Sequence, residues 1–153
     1  MKKLFLFVAA AFAMSSAVTA QTTAQTKAED FVKFHELKYD FGKIKQGVPT
    51  TFDFEFKNIT DKPLVVESAS ASCGCTTPTW PQAPVMAGKK EKINVGYNAA
   101  GAGTFSKTIT VKLAGVDAPV ILTITGEVLT AEAYDAYVKE SGSKEKPKGK
   151  SRK

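Results

Sequence analysis

The stretch Phe52-Asp53-Phe54-Glu55-Phe56-Lys57 decides the fold, because aromatic and charged side chains alternate strictly along it. Successive side chains of a β-strand point to opposite faces of a sheet, so this alternation predicts a strand with one buried and one solvated face. Residues 58–63 follow with the polar residues and proline that are typical of a turn.

The same kind of pattern extends along the chain in both directions. Residues 34–42 are interpreted as a first edge strand and its bend, and residues 64–73 as a strand with a β-bulge between Val66 and Ala69, where the alternation changes phase. About seven short strands at this spacing predict an all-β, antiparallel sandwich of two sheets over residues 31–129. The downstream apolar positions expected to face its core are Ile93, Val95, Tyr97, Phe105, Ile109, Val111 and Leu113.

A short helix is predicted over residues 130–140, with Thr130 as its N-cap. Tyr134, Tyr137 and Val138 then fall on one face of the helix. Two interpretations of this apolar stripe are open. It packs on the sandwich, or it is a surface for a partner.

The first twenty residues have the order of a secretory signal peptide. Two lysines precede a ten-residue apolar run, and small residues follow before a cleavage site at residue 20. The run is short for a membrane span, which needs about 20 residues, although an uncleaved anchor is the alternative. We therefore expect residues 1–20 to be removed, residues 21–30 to form a flexible segment, and the protein to be exported to the periplasm or cell surface without spanning the membrane.

The positive charge of the chain is concentrated at its C-terminus. The formal net charge is +6, and residues 139–153 hold seven basic residues against two acidic ones. Residues 141–153 contain no apolar side chain, which predicts a disordered basic tail. Such a tail can touch acidic surfaces or simply aid solubility. No aromatic residue alternates with these lysines, so nothing indicates specific nucleic-acid binding.

The order of these motifs resembles the bacterial domain-of-unknown-function family numbered fifteen seventy-three, over residues 31–129. One departure is Ala87, where the family usually has proline before the Gly88-Lys89 turn. The resemblance implies an exported protein with an immunoglobulin-like fold, akin to sandwiches that bind other proteins. The stretches that carry it are Tyr39 to Gly47, Asn58, Cys73-Gly74-Cys75-Thr76, Pro78 to Pro81, Gly88-Lys89 and Gly103 to Val111.

Cys73 and Cys75, in Ser72-Cys73-Gly74-Cys75, are the only cysteines of the chain. On a flat strand their Cα atoms would lie about 6.6 Å apart on the same face. Disulfides prefer about 5.5 to 6 Å, so a bond between them requires a kink, which Gly74 can supply.

Three interpretations of this pair are open: a structural pair, either bonded or buried as thiols; a reversible redox pair; and a soft-metal site. In the third, two thiolates and Met86 would hold Cu(I), which prefers sulfur ligands. Zinc is disfavoured because the chain has one histidine, His35, which we expect on the surface or on an edge strand.

Trp80, between Thr79 and Pro81, either covers the end of the core or offers a stacking platform for a sugar or peptide. One histidine makes a Ser-His-Asp arrangement improbable, and we predict no catalytic residues and no resident cofactor. The sequence therefore favours a non-catalytic binding or scaffolding module that takes another protein or peptide on an edge strand. The alternative is a thiol-based copper-binding or redox protein using Cys73 and Cys75.

Overall fold

The computed structural model describes residues 26–144, so the predicted signal peptide and the end of the basic tail lie outside the described residues. Eight strands and one helix follow in chain order: β1 (Val32–Phe34), β2 (Lys38–Lys45), β3 (Thr50–Asn58), β4 (Val66–Ala71), β5 (Thr76–Thr79), β6 (Lys90–Tyr97), β7 (Gly103–Leu113), β8 (Val120–Leu129) and α1 (Ala131–Lys144).

The strands form two stacked sheets of four. The first has the order β1-β3-β6-β5 and the second has the order β2-β8-β7-β4. The predicted β-sandwich with a short C-terminal helix is therefore confirmed.

The inward faces of the two sheets make one apolar core. Phe54, Phe56 and the inward-facing apolar residues of β6, β7 and β8 are buried, while the charged residues that alternate with them along β3 and β6 face solvent. Phe52 is partly buried, and its ring stacks on Tyr39 of the other sheet with centroids 3.6 Å apart. The alternation read from residues 52–57 thus identifies the buried face correctly.

The segment predicted as one edge strand is two strands in different sheets. The chain leaves β1 at Phe34, crosses over at residues 35–37, and enters β2 beside β8. β2 runs parallel to β8, whereas every other pair is antiparallel. The predicted antiparallel sandwich of about seven strands is thus confirmed, with one parallel pair at this edge that the sequence did not indicate. A period of two shows which face is buried but not which way the neighbouring strand runs.

Two irregularities shape the second sheet. The predicted bulge in β4 is confirmed, because the register with β7 shifts between Val66 and Ser68. A second shift occurs in β2 between Asp40 and Lys43, where Gly42 has a φ of 64° and donates its N–H to the Asp40 carboxylate at 2.9 Å.

The Phe105 ring packs against Gly126 on the inner side of the second sheet. The two residues are cross-strand partners in β7 and β8. A Cβ added to Gly126 would lie 2.8 Å from two carbons of the Phe105 ring and 2.9 Å from the carbonyl oxygen of Gly42. The glycine therefore makes room for an aromatic ring, which in turn stacks on Tyr97 of the other sheet at 4.1 Å.

Asn58, at the end of β3, joins two loops from inside the protein. Its side chain is fully buried and donates to the carbonyl oxygens of Lys62, at 2.7 Å, and Val85, at 2.9 Å. Its Oδ1 accepts the backbone N–H of Thr60 at 2.9 Å and the Thr60 hydroxyl at 2.8 Å. All of its hydrogen-bonding capacity is used, which explains how a polar side chain remains at the core boundary.

Helix α1 begins after Thr130, whose hydroxyl accepts the backbone N–H of Ala133 at 3.3 Å, as predicted for an N-cap. Tyr134 is partly buried, while Tyr137 and Val138 are 38% and 48% exposed. The Lys43 ammonium group lies 4.8 Å from the centre of the Tyr137 ring. The predicted apolar stripe therefore packs on the sandwich only in part.

The boundaries predicted for the two ends differ from those observed. Residues 141–144, predicted as part of the tail, continue α1 to Lys144. Residues 28–30, predicted as flexible, form a 3-10 turn that buries Ala28, because Ala28 packs against the core. Thr26 is also tied down, since its hydroxyl donates to the Asp117 carboxylate at 2.8 Å.

Candidate functional site

Cys73 and Cys75 form a disulfide bond whose Cα atoms are 5.3 Å apart. The pair does not lie on a strand, as the extended interpretation of residues 64–73 assumed. β4 ends at Ala71 and β5 begins at Thr76, so the two cysteines occupy the turn between them. The turn brings the Cα atoms closer than the 6.6 Å or so expected on a flat strand. We call residues 72–76 the Cys-Gly-Cys turn.

The Cys-Gly-Cys turn carries the chain from one sheet to the other, and hydrogen bonds hold it on both sides. On the β4 side, the backbone N–H of Ser72 donates to Thr108 of β7 at 2.9 Å. On the β5 side, the carbonyl oxygen of Cys75 accepts the N–H of Asn98 at 3.1 Å. The backbone on either side of the disulfide is thus fixed independently of it.

The two sulfur atoms lie at the boundary between the core and solvent. Both cysteines are partly buried, and Cys75 packs against the core. The Thr76 side chain is buried, and its hydroxyl oxygen lies 3.6 Å from the Cys73 sulfur and 3.9 Å from the Cys75 sulfur. Gly74 is exposed, and a Cβ there would meet no atom within 4 Å, so the outer side of the turn is open.

The structure does not bring Met86 to this pair. Met86 is 57% exposed and precedes the start of β6, where its carbonyl oxygen accepts the N–H of Lys89. The Cys-Gly-Cys turn adjoins the other end of β6, and an eight-residue strand is about 23 Å long. The three-sulfur Cu(I) site that the sequence suggested is not assembled. Within residues 26–144, no three His, Cys, Asp or Glu side chains cluster as metal ligands would.

Trp80 and His35 are the other two residues that the sequence indicated as candidates. Trp80 is partly buried and packs against the core, as expected of a residue that covers its end. His35 is exposed, with 82% of its side-chain surface open to solvent, and its Nδ1 lies 3.8 Å from the Glu36 carboxylate. It directly follows β1, which is an edge strand.

An apolar groove between the two sheets is a site that the sequence did not reveal. It has a volume of about 520 Å³ and lies where the chain crosses from β1 to β2. We call it the edge groove. Its walls come from five separate segments, which explains why no local pattern predicts it. The lining residues that matter below are Val32, Phe34, Leu37, Ile59, Val120 and Ile121.

One wall of the edge groove is the open edge of β1. The carbonyl of Phe31 accepts the N–H of Ile59, and the N–H of His35 donates to Glu55. These residues therefore direct their peptide groups towards β3. In an antiparallel pair the alternate residues point the other way, so the peptide groups of Val32 and Phe34, which both line the groove, are directed away from β3.

The opposite wall is the beginning of β8. Pairing between β2 and β8 starts at Lys38 opposite Thr123, and within the described part of the chain no strand pairs with this edge of β8 before that point. The groove is thus bounded by unpaired strand edges from both sheets.

One ion pair on the outer face of the first sheet shows a shifted pKa. The Lys92 ammonium lies 2.6 Å from an Asp53 carboxylate oxygen, and the Asn94 amide donates to the other oxygen at 2.7 Å. The hydrogen bond from Lys92, followed by that from Asn94, lowers the pKa of Asp53 below its ordinary value. The same hydrogen bond raises the pKa of Lys92. The cross-strand position of Asp53 and Asn94 in β3 and β6 makes this a structural contact.

Comparison with family models supplies the identity of the domain. The model described as "Protein of unknown function (DUF1573)" matches residues 32–128, which span β1 to the end of β8. The chain belongs to the DUF1573 family. The resemblance carried by the Cys-Gly-Cys-Thr motif and its neighbouring stretches is therefore confirmed. A search of curated proteins found no match.

Solved structures similar to this DUF1573 domain share its fold at low identity. The ASH/PapD-like domain 7 of human CEP192 is 10% identical with a TM-score of 0.59, over 80% of this chain and 99% of that domain. A protein of unknown function from Porphyromonas gingivalis is 17% identical with a TM-score of 0.57, over 73% of this chain and 51% of that one.

A third similar structure is part of an enzyme. The VesB protease of Vibrio cholerae is 12% identical with a TM-score of 0.52, and the match covers 67% of this chain and 33% of the protease. These likenesses identify a PapD-like, immunoglobulin-like sandwich for the DUF1573 domain and nothing beyond its fold. No helix within residues 26–144 is long and apolar enough to cross a membrane.

Proposed function

We propose that the protein is an exported, non-catalytic binding module of the bacterial periplasm or cell surface, which holds an extended segment of another protein in the edge groove. The observation that carries the proposal is the coincidence of an apolar groove with unpaired edges of both sheets. An extended peptide placed there can form main-chain hydrogen bonds with β1 and bury its own apolar side chains.

The backbone of the groove supplies the first part of this recognition. The outward peptide groups of Val32 and Phe34 offer donors and acceptors at the spacing of a β-strand. β1 is three residues long, so an added strand can pair with it over about 10 Å. Such a short pairing gives little affinity alone, which makes the side chains around it decisive.

Exposed apolar side chains supply the second part. Leu37, Ile59 and Ile121 are 46–47% exposed, and all three line the edge groove. Large aliphatic side chains gathered at one exposed site are typical of interaction surfaces. An occupant with apolar residues at alternate positions would cover them, because alternate side chains of a strand share a face.

The other edges are less suited to strand addition. β2 contains three lysines, and the bulge at Gly42 interrupts its pairing. β5 contains Pro78, which lacks a backbone N–H, and β4 has the bulge between Val66 and Ser68. Lysines, bulges and prolines are devices that discourage pairing at sheet edges. The groove at β1 is therefore the edge at which we expect a partner.

Peptide selection tests the binding proposal directly. A phage-displayed library of ten-residue peptides is selected on the purified protein, and the selected sequences are measured by isothermal titration calorimetry. We expect alternating apolar sequences, and we expect Ile121→Asp to weaken their binding by about tenfold or more, as charge at the centre of an apolar contact does. Val48→Asp is the matched control, because Val48 is also β-branched, is 53% exposed, and does not line the groove.

Two results would contradict the proposal. One is a library that yields no binding peptide. The other is equal loss of binding in Ile121→Asp and Val48→Asp, which would place the peptide elsewhere. Methylation of alternate backbone nitrogens in a selected peptide must also abolish binding, since strand addition requires those N–H groups.

Export is tested separately. We expect the protein recovered from a periplasmic or surface fraction of the expressing bacterium to begin at Gln21, as N-terminal sequencing would show. Recovery of the chain with Met1 intact from the cytoplasmic fraction alone would refute this part of the proposal.

A further inference from the structure

The Cys-Gly-Cys turn has features that a purely structural disulfide does not need. A disulfide stabilises a fold mainly by closing a loop, and the effect grows with the length of that loop. Here the bond encloses one residue, Gly74. The Ser72 and Cys75 hydrogen bonds already fix the turn to both sheets. We therefore expect the fold to depend little on whether the bond is closed.

The same anchoring keeps the two sulfur atoms together when the bond is open. The N–H of Thr76 donates to the carbonyl oxygen of Cys73 at 3.3 Å, which closes the turn through its backbone. The cysteine Cα atoms are 5.3 Å apart and are held there by contacts that do not involve sulfur. Two thiols at this position would be ready to close again, because their effective concentration is high.

A buried hydroxyl group is directed at both sulfur atoms. The Thr76 oxygen lies 3.6 Å from one sulfur and 3.9 Å from the other, and Thr76 is 4% exposed. Its hydroxyl proton can be donated to whichever sulfur carries negative charge, and a hydrogen bond to the charged form favours that form. Thiolates are both the attacking and the leaving groups of disulfide exchange.

The turn is also accessible from outside. Gly74 leaves its outer side unobstructed, and both sulfur atoms belong to partly buried residues. The two cysteines are not equivalent. Cys75 packs against the core and its carbonyl is bonded to Asn98, whereas Cys73 is not among the residues that pack against the core. An incoming thiolate therefore meets the Cys73 sulfur more readily.

We propose that Cys73–Cys75 is a thiol–disulfide exchange site for dithiols. A dithiol attacks the Cys73 sulfur through one thiolate, forming a mixed disulfide and releasing Cys75 as a thiolate that Thr76 stabilises. The second thiol of the partner, as its thiolate, then displaces the Cys73 sulfur. The partner loses two electrons and two protons and becomes a disulfide, and the chain gains them as two thiols. The reverse sequence closes the bond again.

Reduction under native conditions is the first test. The purified full chain is treated with dithiothreitol at pH 7, free thiols are alkylated with N-ethylmaleimide, and mass spectrometry counts the additions. We expect two additions per chain with an unchanged circular dichroism spectrum, and closure again after transfer into oxidised dithiothreitol. A bond that resists dithiothreitol until the chain is unfolded, or a chain that unfolds on reduction, would overturn the proposal.

Single substitutions test the assigned roles. Cys75→Ser leaves Cys73 as a lone thiol, and Cys73→Ser leaves Cys75. We expect the Cys75→Ser protein to react with 5,5′-dithiobis(2-nitrobenzoate) about threefold or more faster than the Cys73→Ser protein does. Reactivity follows access to the thiolate, and Cys73 is the more accessible cysteine. Equal rates, or a faster reaction in Cys73→Ser, would overturn the assignment of Cys73 as the attacked sulfur.

Thr76→Val tests the hydroxyl group while keeping the shape of the side chain. We expect it to shift the pH dependence of dithiothreitol reduction and to slow the reaction about threefold or more at neutral pH, with an unchanged spectrum. Thr77→Val, at the exposed neighbouring position of β5, is the matched control and should leave the rate unchanged. Identical rates and pH profiles in the two variants would refute the role of Thr76. None of these measurements depends on peptide binding in the edge groove.

Discussion

Replacement of Asn58 by aspartate should destabilise the domain strongly although it changes a single group. Aspartate has the shape of asparagine but carries oxygen where Asn58 has its amide nitrogen. That nitrogen donates to Lys62 at 2.7 Å and to Val85 at 2.9 Å, in a residue with no exposed surface. In Asn58→Asp each carbonyl oxygen loses one of its two donors and faces another oxygen, while the Leu64 N–H stays on Val85 and the Thr60 hydroxyl stays within reach of Lys62.

The size of the effect follows from these contacts. A buried polar group without a hydrogen bond costs about 1–3 kcal/mol, and the carboxylate oxygen that replaces the amide nitrogen has no donor here. The buried charge adds to this, so we expect a loss of about 3–5 kcal/mol in the free energy of unfolding at pH 7. Small domains are stable by about 5–15 kcal/mol in total, so the variant should be close to unfolding.

The loss should also depend on pH. Burial beside two carbonyl oxygens raises the pKa of the new carboxyl group, so the folded variant keeps its proton at pH values where the unfolded chain has released it. A raised pKa in the folded state means that the variant loses stability as pH rises through that value. The gap between variant and wild type should therefore be smaller near about pH 4 than at pH 7.

Urea unfolding at both pH values, followed by circular dichroism, measures the gap. Asn98→Asp is the matched control, because Asn98 is exposed and its Oδ1 only accepts the N–H of Ala100, at 3.1 Å, which a carboxylate can also do. We expect the control to stay within about 0.5 kcal/mol of wild type. An Asn58→Asp variant that loses less than about 1 kcal/mol, or whose loss is the same at both pH values, would refute the reasoning.

Three further predictions concern single contacts. Gly126→Ala should lower the free energy of unfolding by about 1–3 kcal/mol, because its Cβ would lie 2.8 Å from the Phe105 ring; urea unfolding measures this. The Lys92 hydrogen bond lowers the pKa of Asp53 in the folded protein. The pair therefore stabilises the fold at pH values above the unfolded-state pKa of Asp53, and this stability is lost as the pH falls through the folded-state pKa. Asp53→Asn should remove this part of the acid dependence of the free energy of unfolding, as urea titrations at several pH values would show. Thr130→Ala should cost the helix about 1 kcal/mol and speed amide hydrogen exchange in its first turn, and unchanged exchange would contradict the capping role.

Much of the sandwich could be predicted from the sequence because burial follows a period of two along most strands. Ile109, Val111 and Leu113 are buried as expected, and the phase change after Val66 marks a real bulge. Local patterns encode these features, since each depends on residues within a few positions of one another. Strand direction and sheet membership depend on residues far apart in the chain. No local pattern therefore predicts the crossover at residues 35–37.

The candidate sites also differ in how far a local sequence pattern reveals them. The proximity of Cys73 and Cys75 is visible in the sequence, and their bond needs only a turn. The edge groove is not visible, because Leu37, Ile59 and Ile121 are widely separated along the chain and meet only once both sheets are formed. For Met86, closeness in the sequence was misleading. It is eleven residues from Cys75 in the sequence, yet in the fold it lies beyond the far end of β6.

The parallel pairing of β2 with β8 has a mechanical consequence. These strands lie near the two ends of residues 26–144 and are joined at six registered positions, from Lys38 opposite Thr123 to Lys45 opposite Leu129. Tension that draws the two ends apart would slide one strand along the other, so the hydrogen bonds between them would carry the load together. An antiparallel arrangement would instead peel open one bond at a time. If this domain is ever pulled between a surface and a partner, β2 and β8 are the pair that would resist extension.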